Sequence, residues 1–219
     1  MENLIFGAFA TLDGYREGDA VNLGRTVYDR CTVVALCSAK AQNPACTVAL
    51  LTNAPVPEPF RSQLTQGGVE IWDCPFTTYR VPADTNWALA YYKLCAMAWV
   101  LENRDFARAA MLDLDTFTQR PLDDLWRECD EAVLAGKPVR AANAYIFRYW
   151  LGGHFYYVST NYTLDPVCIL HLPGAAKDRQ LKLIYNGYAR RGVFPPLNKI
   201  YRLCGLPAAH PPLLRTVWT

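Results

Sequence analysis

The chain has 219 residues and a formal net charge of +2; 52% of the residues are hydrophobic and 19% are charged. This composition is typical of a globular protein with a substantial core, and it excludes a disordered or low-complexity chain. No stretch approaches the roughly 20 apolar residues that a membrane-spanning helix needs, and the length suits a single domain over residues 1–219.

The first half of the chain alternates apolar runs with segments of helical period, which predicts an α/β fold with a mainly parallel sheet flanked by helices. A turn at Asp13-Gly14 separates the first two elements, and Gly67-Gly68 ends a short helix. The expected elements, in order, are a strand at 4–12, a helix at 19–31, a strand at 47–52, the short helix and a strand at 69–74.

The second half opens with the most regular helical segment, from Asp84 to Glu102, for which Asp84 or Thr85 is a suitable N-cap. Its apolar residues share one predicted face, namely Trp87, Tyr91, Leu94, Ala98 and Leu101. The later elements are expected to be a strand at 107–112, a helix opened by Pro121 with Asp123 and Asp124 in its first turn, strands at 139–149, 155–159 and 167–171, and a helix at 177–191.

Charge is divided unevenly along the chain. Up to Asp165 there are 14 Lys and Arg against 19 Asp and Glu, whereas from Pro166 onward eight basic residues face the single acid Asp178. The eight are Lys177, Arg179, Lys182, Arg190, Arg191, Lys199, Arg202 and Arg215. A basic helical part from about residue 177 favours phosphates, nucleic acid or an acidic membrane surface, and the alternative is an ordinary solvated helix face.

The cysteines and the N-terminus bear on the compartment. None of the eight cysteines forms a Cys-x-x-Cys pair, and several lie inside apolar runs. They are therefore expected to be small buried residues in a reducing compartment. Met1 leads into the apolar stretch 4–12 without a basic segment, which does not fit a signal peptide. We expect a soluble, cytoplasmic protein.

Asp113 and Asp115 follow directly after the apolar run 107–112. Two carboxylates after a buried strand lie at the carboxyl edge of a sheet, where α/β proteins bind ligands. Hard oxygen ligands at this spacing suit Mg²⁺ or Mn²⁺ and leave positions open for diphosphate oxygens. Because such a pair also occurs by chance, its surroundings decide how it is interpreted.

Several segments around this pair carry a family pattern. They are Ala10–Gly18 (ATLDGYREG), Tyr92-Lys93-Leu94, Ala110–Thr116 (AMLDLDT), Pro121–Trp126 (PLDDLW), Ala142–Phe147 (ANAYIF) and Ile169–Lys177 (ILHLPGAAK). Over residues 5–180 the chain thereby resembles the glycogenin-like family of retaining glycosyltransferases. The two most specific segments are Asp-x-Asp-Thr and His-x-x-Gly-x-x-Lys. The resemblance implies a single GT-A domain, with one Rossmann-like, mainly parallel mixed sheet and a metal site at its edge.

The resemblance also implies roles for individual residues. Asp113, Asp115 and His171 would hold Mn²⁺ or Mg²⁺. The implied nucleotide-binding residues are Thr11, Asp13, Tyr15, Lys93 and Asp113. The implied donor sugar and phosphate ligands are Asn143, Gly174 and Lys177. Of these, Tyr15 would stack on the base, Lys93 would meet an anion, and Lys177 would add a charge for the diphosphate.

Each assignment has an ordinary structural alternative. His171 could be a hydrogen-bonded core histidine, Tyr15 an aromatic residue in a loop, and Asn143 a polar residue on a half-exposed strand. Asp115 is expected at a strand end and outside the core, so that Asp115→Asn would leave the fold intact. No residue is assigned as a nucleophile.

The expected function is sugar transfer from a nucleotide-sugar donor, implied to be a UDP-sugar, to a carbohydrate or glycoconjugate acceptor, with retention. Nucleic acid is not an expected partner, and peripheral membrane contact would involve the basic C-terminal part. The family's Asp-Gln pair is missing from the chain, which favours a non-catalytic nucleotide-sugar binding module as the alternative. A second alternative is a sugar nucleotidyltransferase, which requires a Gly-rich loop after the first strand. Residues 13–18 contain too few glycines for such a loop.

Overall fold

The computed structural model describes residues 2–11, 25–82, 88–123, 126, 169–172, 177–196 and 199, with the backbone alone at 88–90, 170 and 171. The strands are β1 (Asn3–Phe9), β2 (Thr47–Thr52), β3 (Glu70–Asp73), β4 (Arg108–Met111), β5 (Thr116–Thr118) and β6 (Ile169–His171). The helices are α1 (Arg25–Gln42), α2 (Phe60–Gln66), α3 (Ala88–Asn103) and α4 (Lys182–Ala189), and a π-helical turn (Lys177–Leu181) leads directly into α4.

Four parallel strands form the main sheet in the order β3-β2-β1-β4. Phe6 on β1 lies opposite Ala49 on β2 and Met111 on β4, so β1 is an inner strand. The chain moves outward from β1 to β3 and then crosses to the other side of β1 to form β4. The strand order therefore reverses between β1 and β4. The expected α/β fold with a parallel sheet is confirmed, and it is compatible with a Rossmann-like arrangement.

Alternating side chains on the strands fill a core on each face of this sheet. Leu4 and Phe6 pack on the side of α3, whereas Ile5 packs on the side of α1, α2 and α4. The same alternation holds on β2, where Val48 and Leu50 face one layer and Ala49 and Leu51 face the other. A strand that is covered on both faces is apolar along its whole length. This explains why the predicted bounds of β2, 47–52, are the same as the observed ones.

Helix α1 extends much further than predicted. The expected helix ended at residue 31, but α1 continues to Gln42, and its start at residue 19 lies outside the described residues. All residues from Cys31 to Ala39 are buried, because α1 packs against the sheet, against α2 and β5, and against α4 with the π-helical turn before it. A helix covered on every side has no polar face, so its second half lacks the period on which the prediction depended.

Helix α3 presents a different face to the core from the one predicted. Tyr91, Leu94 and Leu101 are 49%, 50% and 80% exposed. The buried positions lie beside them on the helix and are Tyr92, Cys95, Ala96 and Val100. Because α3 is apolar on several sides, its apolar spacing does not identify the side that meets the sheet. The proposed N-cap and Trp87 lie outside the described residues.

The remaining elements follow the predictions more closely. β4 and the helix from Lys177 to Ala189 form where expected, and Trp126 donates a backbone hydrogen bond to Leu122 (3.0 Å), as in a helix opened by Pro121. The strands expected at 139–149 and 155–159 lie outside the described residues. β6 pairs antiparallel with β5.

In the described part of the chain, no helix has the length and apolar character needed to cross a membrane. Five cysteines there are buried and free, namely Cys31, Cys37, Cys46, Cys74 and Cys95.

Candidate functional site

The reversal of strand order places a crevice at the carboxyl ends of β1 and β4. In open α/β sheets this switch point is where ligands bind, because neighbouring connections leave the sheet in opposite directions. Leu112 extends the pairing by donating its N–H to the carbonyl of Phe6 (2.8 Å), and Asp113 follows at once. Asp113 and Asp115 therefore lie at the carboxyl edge, as the sequence pattern predicts.

The Asp113–Thr116 loop is fixed by its own hydrogen bonds. The Thr116 hydroxyl donates to the Asp113 carbonyl (2.6 Å), and the Leu114 N–H donates to Asp113 Oδ1 (3.1 Å). Directly after β6, the Leu172 N–H donates to the Asp115 carbonyl (2.8 Å). The Leu114 side chain is buried against Gly7, where no larger residue would leave room for it. These contacts hold the carboxylates in place independently of any ligand.

Lys93 reaches Asp113 from α3. Its Nζ lies 2.8 Å from Asp113 Oδ1, and the two side chains are 32% and 29% exposed. Lys93 thus meets an anion, as a lysine among apolar helix residues should. That anion is the Asp113 carboxylate itself, where a phosphate or sugar hydroxyl was expected. The ammonium occupies one oxygen of the carboxylate on the α3 side of the sheet.

Lys177 reaches Asp115 from the opposite face. Its Nζ lies 3.3 Å from Asp115 Oδ2, and the two side chains are only 11% and 10% exposed. The Lys177 ammonium also lies 5.2 Å from the centroid of the Tyr28 ring on α1. Lys177 is the first residue of the π-helical turn, a distortion often found at functional sites. The expectation that Asp115 lies outside the core is wrong, because this carboxylate is buried and faces a lysine.

The backbone at the end of β1 is held by Asn53. The Thr11 N–H donates to Asn53 Oδ1 (2.8 Å), and Asn53 Nδ2 donates to the Thr11 carbonyl (2.7 Å). This double hydrogen bond ties the chain after β1 to the chain after β2. Thr11 is itself exposed and stands at the crevice, where the resemblance implies a nucleotide contact.

Arg25, at the start of α1, was not predicted as a site residue. Its Nη1 donates to Thr11 Oγ1 (3.4 Å), its Nη2 donates to the Pro55 carbonyl (3.2 Å), and its guanidinium carbon lies 4.9 Å from the Phe9 ring centroid. Its Nε also pairs with the buried Asp29 (3.4 Å). Burial raises the pKa of Asp29, and the Arg25 charge counteracts part of that rise.

A line of contacts joins the β1 end of the crevice to the carboxylate pair. The Phe9 and Tyr28 rings lie 6.2 Å apart, and Tyr28 in turn faces Lys177. Arg25, Tyr28 and Asp29 are spaced i, i+3 and i+4, which puts them on one side of a helix. That spacing, inside the helix predicted directly after β1, was the signal that could have identified these residues.

Several predicted site residues cannot be placed together by this structure. The His171 backbone lies on β6 opposite Thr116, beside the Asp-x-Asp loop. Asp13, Tyr15, Asn143 and Gly174 lie outside the described residues. The described ranges contain no group of three or more His, Cys, Asp and Glu side chains arranged to hold a metal. The two carboxylates offer oxygen atoms, which are the ligand type that a hard divalent cation takes.

The described geometry therefore brings Thr11, Lys93, Asp113, Asp115 and Lys177 to one edge of the sheet. It adds Arg25, Tyr28 and Asp29 from α1 to that edge. A strand-order reversal with charged side chains at its carboxyl edge is the usual place of a ligand-binding site in an open α/β sheet. Compared with known proteins, the chain matches no family model and no curated protein sequence.

Proposed function

We propose that this protein is a metal-dependent glycosyltransferase of the GT-A type that moves a sugar from a UDP-sugar to an acceptor hydroxyl, with retention. The observation that carries the proposal is the position of Asp113 and Asp115 at the switch point, beside the end of β1. A nucleotide on the β1 side would extend its diphosphate toward the carboxylates. The resemblance to glycogenin-like enzymes supplies the reaction type, the single domain and the identity of the donor.

Asp113 and Asp115 would hold Mn²⁺ or Mg²⁺, with His171 as the third ligand that the resemblance implies. A bound divalent ion supplies Lewis-acid charge to the departing diphosphate. Thr11 lies where the base or ribose is expected, and the Asn53 amide fixes its backbone at that position. Asp13 and Tyr15 are proposed to complete the nucleoside contacts, and Asn143 and Gly174 the contacts to the sugar and phosphates.

Lys93 and Lys177 have a second role in this proposal. The Lys93 ammonium lies 2.8 Å from Asp113 Oδ1 and the Lys177 ammonium lies 3.3 Å from Asp115 Oδ2, so the two lysines flank the edge from opposite faces of the sheet. Phosphate oxygens that arrive at the carboxylates would come within reach of both ammonium groups. Fixed positive charges at this place stabilise the negative charge that grows on the leaving diphosphate.

In the proposed transfer, one bond at the anomeric carbon of the donor sugar replaces another. The bond between the anomeric carbon and the diphosphate oxygen breaks, and the acceptor hydroxyl oxygen bonds to the same carbon on the same face. The hydroxyl proton passes to the departing diphosphate, so no side-chain nucleophile is required.

The absence of an Asp-Gln pair from the sequence favours one second candidate, a non-catalytic nucleotide-sugar binding module. Both candidates predict the same donor site. They differ in turnover, because a binding module shows saturable affinity for a UDP-sugar but releases no UDP from it.

The test is a thermal-shift screen of UDP-, GDP- and dTDP-sugars in Mn²⁺ or in EDTA, followed by measurement of released nucleotide. A ligand that binds only the folded state raises the melting temperature. Asp113→Asn is the informative variant, since its side chain is part-exposed and tolerates neutralisation better than Asp115. Asp73→Asn is the matched control, because Asp73 ends the outer strand β3 of the same sheet.

We expect a UDP-sugar to stabilise the native protein and Asp73→Asn in Mn²⁺ but not in EDTA, and to have no effect on Asp113→Asn. Release of UDP then identifies a transferase, and binding without release identifies the module. Equal stabilisation in Mn²⁺ and in EDTA, or no stabilisation by any sugar nucleotide, shows that the site assignment is wrong.

A further inference from the structure

Arg25 joins three segments at the carboxyl end of the main sheet. Its Nη1 donates to the Thr11 hydroxyl (3.4 Å) on the chain after β1, and its Nη2 donates to the Pro55 carbonyl (3.2 Å) on the chain after β2. Arg25 itself is the first residue of α1. Its two partners lie 14 and 30 positions away in the sequence, so these contacts depend on the fold and not on the local chain.

The guanidinium is held from two further sides. Its Nε lies 3.4 Å from Oδ1 of Asp29, one turn further along α1, whose side chain is only 7% exposed. The guanidinium carbon lies 4.9 Å from the centroid of the Phe9 ring, in a cation–π contact. A guanidinium is planar and rigid, so the ion pair at Nε and the ring on one face fix the directions in which Nη1 and Nη2 donate.

Asn53 and Arg25 act on different parts of Thr11. The Asn53 side chain exchanges two hydrogen bonds with the Thr11 main chain, at 2.8 and 2.7 Å, and these bonds do not fix the side-chain rotamer. Arg25 instead contacts the hydroxyl oxygen. A hydroxyl that accepts a hydrogen bond keeps its own hydrogen for another acceptor. Because Thr11 is exposed, that hydrogen is available to a ligand in the crevice.

We infer that Arg25 is a positioning residue, which orients the Thr11 hydroxyl as a hydrogen-bond donor toward a ligand in the crevice. The inference rests on the proposed donor site and adds the residue that prepares Thr11 for the nucleoside. The ligand group that fits is an acceptor oxygen, such as a base carbonyl or a ribose oxygen.

A lysine cannot take over this role of Arg25. The hydrogen bonds of the guanidinium, at 3.2 and 3.4 Å, are longer than the usual length of about 2.9–3.0 Å. Arg25 therefore acts through the joint effect of its contacts and not through one strong bond. A lysine keeps the charge, but its compact ammonium lacks the rigid fork that reaches the Thr11 and Pro55 oxygens at the same time.

The first measurement is made on the full-length chain without ligand. Three-bond coupling constants in nuclear magnetic resonance show whether the Thr11 side chain occupies one rotamer or averages over several. Arg25→Met removes the guanidinium, whereas Arg25→Lys keeps a positive charge beside the buried Asp29 and so protects the fold. Arg61→Met is the matched control, because Arg61 is an exposed arginine near the start of α2. We expect single-rotamer couplings in the native chain and in Arg61→Met, and averaged couplings in both Arg25 variants.

The second measurement is the affinity for UDP in Mn²⁺, by calorimetry. Arg25→Met, Arg25→Lys and Thr11→Val should each weaken binding about fivefold, the effect of one ordinary hydrogen bond, whereas Thr11→Ser should keep the native affinity. The Arg25→Met/Thr11→Val double variant should bind no more weakly than either single variant, because a positioning residue has nothing to orient once the hydroxyl is gone. Arg61→Met should bind UDP as the native chain does.

The inference is overturned, with the donor site left standing, if either the Thr11 couplings or the UDP affinity are unchanged in both Arg25 variants. It is also overturned if Arg25→Met weakens binding further in the Thr11→Val background, because the guanidinium then acts on the ligand without Thr11. If the native chain binds no sugar nucleotide, the proposed function fails, whereas the positioning of Thr11 by Arg25 is judged by the couplings of the chain without ligand.

Discussion

Replacing Lys177 with methionine removes the cation that faces Asp115 in a setting where both side chains are about 90% buried. Methionine keeps most of the length and apolar volume of the lysine stem, so the change is mainly one of charge. Asp115 then loses its nearest ammonium while it stays largely out of water. Removal of one partner of a buried ion pair is strongly destabilising, because the remaining charge is not compensated.

The exposure of the two ion pairs sets the expected sizes. For Lys177→Met and for Asp115→Asn we expect a loss of about 3 kcal/mol in the free energy of unfolding, the lower end of the range for buried pairs. For Lys93→Met we expect about 0–1 kcal/mol, because the Lys93–Asp113 pair is about one third exposed. In a chain of this size a loss of 3 kcal/mol lowers the melting temperature by about 6–12 °C.

The assay is urea unfolding in EDTA of the native chain, the two single variants and the Asp115→Asn/Lys177→Met double variant. The double variant should cost about 2 kcal/mol less than the sum of the single variants, because neither charge remains to be compensated. If the single losses simply add, the two groups do not interact in solution. If Lys177→Met costs no more than Lys93→Met, the difference in burial does not decide their energetics.

Three further predictions concern other parts of the structure. Burial raises the pKa of Asp29 above its ordinary value of 3.8, so the folded state binds this proton more tightly than the unfolded state does. The free energy of unfolding of the native chain, measured relative to that of Asp29→Asn, should therefore fall as the pH rises above about 4. Urea unfolding of both proteins over a series of pH values measures this difference. Gly7→Ala should displace the Leu114 side chain and lower the free energy of unfolding by about 1–3 kcal/mol. It should also weaken the binding of UDP in the presence of Mn²⁺, as measured by calorimetry. Unchanged binding would show that the Asp113–Thr116 loop does not depend on this contact. Reversal of the exposed Arg190 and Arg191 to Glu should leave UDP-sugar hydrolysis nearly unchanged and weaken binding to anionic vesicles in a salt-dependent way, because charges exposed to water are screened over about 8–10 Å at physiological salt. A loss of hydrolysis as large as that of Lys177→Ala would instead place the whole helix in the donor site.

The sequence predicts the parallel sheet well because its strands are buried on both faces. Such strands are short apolar runs with clear ends, and β2 was predicted to the residue. The position of Asp113 and Asp115 follows from the same signal, since polar residues that come directly after a buried run must lie at the strand's end. These are local properties, and they survive folding unchanged.

The errors share a different cause, which is that burial depends on neighbours distant in the sequence. The predicted end of α1 is too early because β5 and α4 cover the second half of the helix, which therefore has no polar face. The predicted core face of α3 is wrong because α3 is apolar on several sides, and only its packing in the fold determines which side meets the sheet. Lys177 and Asp115 are 62 positions apart in the sequence, and the residue pattern of neither segment indicates that the two side chains form an ion pair.

The same distinction explains what the Asp-x-Asp-Thr segment encodes. Thr116 fastens the loop through the Asp113 carbonyl, and Leu114 anchors it in the core against Gly7. Half of the motif is therefore structural, and this half requires no ligand. The two carboxylates are held at the crevice at a tolerable cost because a lysine neutralises each of them. Lys93 from α3 and Lys177 from the turn before α4 therefore belong to the structural part of the site, whatever part they also take in the proposed binding of a diphosphate.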